Sequence, residues 1–199
     1  MRFWPKTYLK LLKFKDVAER QFPVNVSIRV VDWGSFDLSF GSLQPKFLLR
    51  WSKGTWAVAD NGSLWDWNDP EFIGLYPSNI TLPAVIWTQG LPVPFETALG
   101  QRVHVALLPV SQVLSWLQQL GRLGWLEQTS TISVDRQGGH YRVYVTMDRP
   151  DRKRLILFLS DDLTVWPLIA QALDAILKDN PGEAELVIDA TYDGKLIVK

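Results

Sequence analysis

The C-terminal part of the chain, residues 129–199, constrains the fold most, because strand-like segments surround a single helical one. Three short segments carry β-branched and aromatic residues and are separated by turn-forming sequences, which is typical of consecutive hairpins. They are Ser130–Asp135, Tyr141–Met147 and Arg154–Ser160. This pattern predicts a sheet whose strands follow one another along the chain.

One amphipathic helix and two final strands follow these hairpins. The apolar residues of this helix recur at helical spacing, and Asp161 and Asp162 could provide its N-cap and an acidic first turn. These apolar residues are Trp166, Ile169, Leu173, Ile176 and Leu177. The strands Leu186–Ala190 and Lys195–Lys199 then end the chain. A last strand placed at a sheet edge offers unpaired backbone groups to a partner strand, although Lys195 and Lys199 could equally block such pairing.

Composition excludes several classes of protein. The chain has 199 residues, of which 47% are hydrophobic, so it can bury a substantial core. Its formal net charge of zero gives no support to nucleic-acid binding. No cysteine occurs, so disulfides and thiolate chemistry are excluded. The two histidines, His104 and His140, are far apart in sequence, and no nucleotide-binding, metalloprotease or hydrolase motif is present. We expect a protein that is not an enzyme, with no cofactor, metal or small-molecule substrate.

The first 52 residues are predicted to form a small α/β module. The sequence predicts a helix at 7–21, strands at 24–31 and 45–51, and an inserted hairpin arm at 32–44. The helix is basic opposite its apolar face. That basic face is either solvated or held near anionic lipid.

The middle of the chain gives weaker signals. We expect a strand at Thr55–Ala59, another within Leu82–Thr88 and a helix at Pro109–Leu120, with the proline-rich stretch Ser63–Pro94 otherwise irregular. The uncharged run Val103–Gly121 contains too many polar residues for a membrane-spanning helix.

Ten tryptophans raise the possibility of a sugar-binding surface, since aromatic rings stack on glycans. Most of them occupy patterned positions and are expected in the core. Trp33, Trp65 and Trp67 fall in predicted loops, where they could be exposed. The alternative function is therefore a cell-wall glycan-binding module that uses these side chains.

The order of the elements resembles the cell-division protein family FtsQ, called DivIB in Gram-positive bacteria. The resemblance extends from about residue 17 to the end and rests on the order and spacing of short motifs. These are Val17–Val30, Pro45–Trp51, Val58–Trp65, Leu82–Pro83, Ile132–Asp135 and Val187–Val198.

The resemblance implies an α+β fold in which a POTRA domain precedes a β domain. Residues 1–52 would form a partial POTRA-like module, and residues 53–199 would form an FtsQ-type mixed or antiparallel β domain with two packed helices. The transmembrane helix and the first POTRA strand and helix of the family are missing from this chain. The family's location implies the extracytoplasmic face of the bacterial cytoplasmic membrane.

The resemblance also implies a function, that of a non-enzymatic divisome scaffold. Family members recruit the membrane proteins FtsL and FtsB, and the last strands of the β domain receive a partner strand. Tyr192 aligns with the family's partner-binding tyrosine, while Trp166 and Ile169 fall on the supporting helix. The remaining predicted partner-binding residues are Thr191, Gly194, Lys195, Leu196, Ile197 and Val198.

Overall fold

The computed structural model describes residues 4–32, 35–77, 79–88, 90–148, 154–179, 184–192 and 195–198. In these ranges the protein is a mixed α+β structure, as expected, with a large mixed sheet and four α-helices. The helices are α1 (Trp4–Gln21), α2 (Pro70–Ile73), α3 (Val110–Arg122) and α4 (Trp166–Asp179). Among the described residues, no helix combines the length and the apolar character that crossing a bilayer requires.

Two strands stand outside the large sheet. β1 (Val24–Asp32) and β2 (Ser35–Ser42) pair antiparallel as a two-stranded sheet, so the predicted arm is a hairpin with the preceding strand. The register sets Val26 opposite Phe40, which places the apolar residues of both strands on one face. Helix α1 packs against this hairpin, with the rings of Tyr8 and Phe36 stacked at 6.1 Å.

The other strands form a single ten-stranded sheet, in the order β12-β11-β10-β9-β8-β6-β3-β4-β5-β7. Three pairs are parallel, namely β10 with β11, β8 with β6, and β6 with β3, and the remaining pairs are antiparallel. The strands are β3 (Pro45–Trp51), β4 (Gly54–Ala59), β5 (Ser63–Asp66), β6 (Ala84–Trp87), β7 (Val103–Val105), β8 (Thr129–Gln137), β9 (His140–Asp148), β10 (Arg154–Ser160), β11 (Glu185–Tyr192) and β12 (Lys195–Val198).

Strand β3 was expected in the N-terminal module, but it lies inside the large sheet between β4 and β6. The predicted division after residue 52 therefore falls within the β3–β4 hairpin. Among the described strands, pairing sets apart only β1 and β2. The POTRA-like character of the N-terminal module stays a prediction.

The main core lies between the sheet and the helices α3 and α4. Buried residues alternate with less buried ones along β8, β9 and β10, which is the pattern of a sheet covered on one face. Trp116 from α3 and Trp166 from α4 belong to this same core. A smaller cluster includes Phe72 from α2 and Tyr76. The two packed helices of the predicted β domain are thus present.

Three short elements fall in stretches whose residues show no regular pattern. Helix α2 and strands β5 and β7 contain only three or four residues each, too few for a period to be recognised. The prediction that Ser63–Pro94 is irregular apart from one short strand is wrong for β5 and α2. In α2, Asp69 caps the N-terminus by accepting a hydrogen bond from the backbone N–H of Glu71.

The start of α4 also differs from the prediction. The helix begins at Trp166, so Asp161 and Asp162 precede it and provide neither its cap nor its first turn. Asp162 instead accepts hydrogen bonds from the hydroxyl and the backbone N–H of Thr164, at 2.7 and 2.9 Å. These bonds favour the charged carboxylate and lower the pKa of Asp162.

One of the two histidines is buried in an aromatic environment. His104 lies in β7, its ring stacks on Phe95 with centroids 5.3 Å apart, and Trp56 meets it edge to face. Its Nδ1 has no hydrogen-bond partner among the described residues, and burial lowers the pKa of the imidazole.

This burial predicts a pH-dependent stability. Because the folded-state pKa of His104 is lowered, the stability it contributes is complete above the unfolded value of about 6.5 and decreases as the pH falls towards the folded pKa. Thermal unfolding is measured at about pH 7.5 and at about pH 5.5. The decrease in Tm from the higher to the lower pH should be smaller for His104→Phe than for the unmodified protein. Val105→Thr, at the exposed neighbouring position of β7, is the control and should behave as the unmodified protein does. Equal decreases for all three would contradict this prediction.

Candidate partner-binding site

The C-terminal strand lies at an edge of the large sheet, as expected. Among the described residues β12 pairs only with β11, antiparallel, with Val198 opposite Ile188 and Ile197 opposite Asp189. Its outer side faces no described strand. The backbone N–H and C=O groups on that side therefore form no ladder hydrogen bonds with a described strand, which is the condition for strand addition.

The hairpin that presents β12 contains a buried carboxylate. Asp189 is buried in β11, and its Oδ1 accepts hydrogen bonds from the hydroxyl of Thr191 at 2.7 Å and from the backbone N–H of Thr191 at 3.2 Å. The pairing register shifts between Asp189 and Tyr192, so this carboxylate holds the irregular part of β11. Sequence reasoning did not single out Asp189, because an isolated acid between apolar residues gives no hydrogen-bonding signal.

The predicted site residues of the final hairpin lie in or beside this arrangement. The backbones of Tyr192 and Lys195 pair at the end of the ladder, and Gly194 lies outside the described residues. Ile197 is 38% and Val198 is 42% exposed, whereas Leu196 packs partly against the main core. The edge thus carries exposed apolar side chains on a strand whose outer side is unpaired among the described residues.

The two predicted residues on α4 are buried. Trp166 is fully buried, and its Nε1 donates a hydrogen bond to the carbonyl of Ser160 at 3.0 Å, which ties the start of α4 to the end of β10. Ile169 packs in the core and also lines a cleft. The Trp166 side chain cannot touch a partner in this conformation, so its contribution is to hold the helix in place.

A cleft of about 790 Å³ lies beside this edge, between the first turns of α4 and one end of the sheet. One part is polar and includes His140, Asp161 and Asp162. The other part is mostly apolar and is formed by Val165, Leu168, Ile169, Ala172, Ala190 and Leu196. Since Leu196 belongs to β12, a strand added beside β12 would lie close to this cleft. Sequence reasoning missed the cleft because its walls come from three segments that are distant in sequence, residues 137–142, 160–172 and 190–196.

The polar groups of the cleft are held by the fold. Asp161 accepts a hydrogen bond from the backbone N–H of Tyr141 at 3.2 Å, and its Oδ2 lies 3.8 Å from Nδ1 of His140. No hydroxyl or amine side chain is hydrogen-bonded to His140 in the part of the chain that the structure describes. Nor does that part contain a group of three or more acidic or histidine side chains placed to hold a metal ion.

The tryptophans whose side chains the structure describes do not form the exposed surface that glycan binding would require. Trp65 is completely buried and stacks on Tyr76 with ring centroids 5.9 Å apart, and Trp67 is half-buried. Trp33 lies outside the described residues. The expectation that Trp65 is exposed in a loop is wrong, because β5 places it in the smaller core cluster. Every tryptophan whose side chain the structure describes is buried or half-buried.

Comparison of the chain with protein-family models, with curated proteins and with solved structures finds no match.

The role assigned to Asp189 can be tested by unfolding. Asp189→Ala leaves the backbone N–H of Thr191 without its acceptor, so we expect a loss of about 1–3 kcal/mol in the free energy of unfolding, measured with urea. Hydrogen exchange should accelerate mainly in β11 and β12. Asp148→Ala, at an exposed carboxylate at the end of β9, is the control and should change stability by less than about 0.5 kcal/mol. Equal losses in the two variants would contradict the role of Asp189.

Proposed function

We propose that this protein is a non-enzymatic scaffold of the bacterial division machinery that binds a partner polypeptide as an additional strand beside β12. The observation that carries this proposal is the open outer side of β12. The resemblance of the element order to FtsQ supports it and suggests partners of the FtsB and FtsL kind. We further propose that the protein acts at the extracytoplasmic face of the cytoplasmic membrane.

The geometry explains how affinity and specificity would arise. Backbone hydrogen bonds to β12 would supply sequence-independent affinity, as in other cases of strand addition. Alternate side chains of the partner would point to the face that Val198 shares with the buried Ile188. That face is covered by α4, so the exposed Leu168 and the cleft beside it would select the partner's side chains.

The opposite edge of the sheet is less suited to strand addition. β7 has only three residues, and α1 packs beside it. The backbone N–H of Arg102, just before β7, donates to the carbonyl of Arg20 at the end of α1. Val105 is nevertheless 73% exposed, which makes it a suitable control position.

Substitution at the two edges tests the proposal. The probe is the extracytoplasmic segment of an FtsB-type protein from the same bacterium, with binding measured by calorimetry. Ile197→Lys places a charge beside the expected partner strand and should weaken binding by about tenfold or more, as edge lysines do. Val105→Lys introduces the same charge at β7 and should bind as the unmodified protein does.

Three results would contradict the proposal. They are an equal loss of binding in both variants, unchanged binding by Ile197→Lys, and unchanged binding after deletion of residues 195–199. Retention of the unmodified protein on insoluble cell wall, with no affinity for the FtsB-type segment, would favour the glycan-binding alternative instead. Circular dichroism of each variant would confirm that the sheet is retained.

A further inference from the structure

Helix α1 carries an unbalanced charge on its outward face. It contains five basic and two acidic residues, although the whole chain has a formal net charge of zero. Both acids are paired within the helix, Asp16 with Arg20 and Glu19 with Lys15. Lys6, Lys10 and Lys13 remain, and none of them has an acidic partner in the part of the chain that is described.

These three lysines form a stripe that faces solvent. At about 100° per residue, Lys6, Lys10 and Lys13 lie within about 60° of one another around the helix axis. All three are exposed, whereas Leu11 and Ala18, on the side that packs on the hairpin, are half-buried. The positive charge is thus directed away from the rest of the protein.

Apolar side chains lie among the lysines. Leu9 is 57% and Val17 is 58% exposed, and helical spacing puts both within about 60° of Lys6. A soluble helix normally turns such residues towards its core. Alternation of lysine with exposed leucine and valine is typical of helices that lie in a membrane interface.

A shallow apolar groove adjoins this stripe. It has a volume of about 300 Å³ and lies between α1 and the β1–β2 hairpin. Phe14 and Phe40 form part of its wall, and their rings meet edge to face at 6.2 Å while both remain exposed. The other lining residues are Val17, Ala18, Gln21, Phe22 and Val24, of which only Gln21 is polar.

The charge pattern favours a lipid surface over a second copy of the chain. A two-fold contact through this face would bring one lysine stripe against the other, with no free acid on α1 to neutralise it. Anionic headgroups neutralise lysines, while the acyl region accepts the apolar side chains and the groove. We propose that α1 docks on an anionic lipid bilayer, with Lys6, Lys10 and Lys13 among the headgroups and with Leu9 and Val17 at the level of the upper acyl chains.

Co-sedimentation with vesicles tests this docking. The full chain should sediment with vesicles of mixed phosphatidylglycerol and phosphatidylcholine but not with phosphatidylcholine alone, and added salt should weaken binding. Changing Lys6, Lys10 and Lys13 together to Gln should lower the apparent affinity by roughly 100-fold, since each lysine near an anionic surface contributes about fivefold. Leu9→Ser with Val17→Ser should also lower it. These positions are exposed, so the fold should be retained.

The control removes the same charge from elsewhere. Lys46, Lys53 and Arg122 are exposed outside α1, and changing all three to Gln should leave binding unchanged. Binding that falls equally in the control, or that is equal for neutral vesicles, would overturn the proposal. So would the absence of binding, or a dimer in sedimentation velocity that the Leu9 and Val17 substitutions dissociate.

Discussion

Burial of one sheet face beneath α3 and α4 is the interaction on which the rest of the structure depends. The main core runs from Phe47 in β3 to Ile188 in β11, so nearly the whole width of the large sheet contributes to it. Trp116 and Trp166 are completely buried there and supply its largest side chains. Because α4 is fixed by this packing, the adjoining edge hairpin and the cleft have a defined geometry. Residues that never touch a partner can therefore determine whether one binds.

The sequence predicts where strands and helices lie better than it predicts which strands pair with one another. Alternation in Tyr141–Met147 and Arg154–Ser160, and helical spacing around Trp166, define strands and helices, because each element is long enough to show a period. The pairing of strands with one another leaves no such local pattern. The parallel contacts of β6 with β3 and β8 join segments that no local pattern relates. For this reason β3 was predicted within a small N-terminal module, although it lies in the interior of the large sheet.

The candidate site likewise combines features that the sequence predicts with features that it does not. The edge position of β12 among the described strands is confirmed, and a short strand that begins with Lys195 and is followed by Lys199 is the kind of segment that sheet edges carry. The cleft depends on contacts between segments that are distant in sequence, so it could not be predicted. The hydrogen bonds of Asp189 to Thr191 are local but leave no recognisable sequence pattern. For Trp65 the sequence suggests an exposed ring, whereas the structure shows a buried one. Prolines around it suggest a loop, but pairing of β5 with β7 buries the ring.

The two proposed contact surfaces lie near opposite margins of the large sheet. Helix α1 packs beside β7, and β12 is at the other end of the strand order. With neighbouring strands about 4.8 Å apart, the ten strands separate these edges by up to about 40 Å along the sheet. If α1 rests on a bilayer and the strand order runs away from the bilayer surface, a membrane-anchored partner would have to reach β12 across a comparable distance. A helix of about 27 residues spans it, since each residue advances about 1.5 Å. In that orientation a partner whose binding strand follows directly after its membrane segment would be too short, whereas a partner with a helical stalk of this length would reach β12.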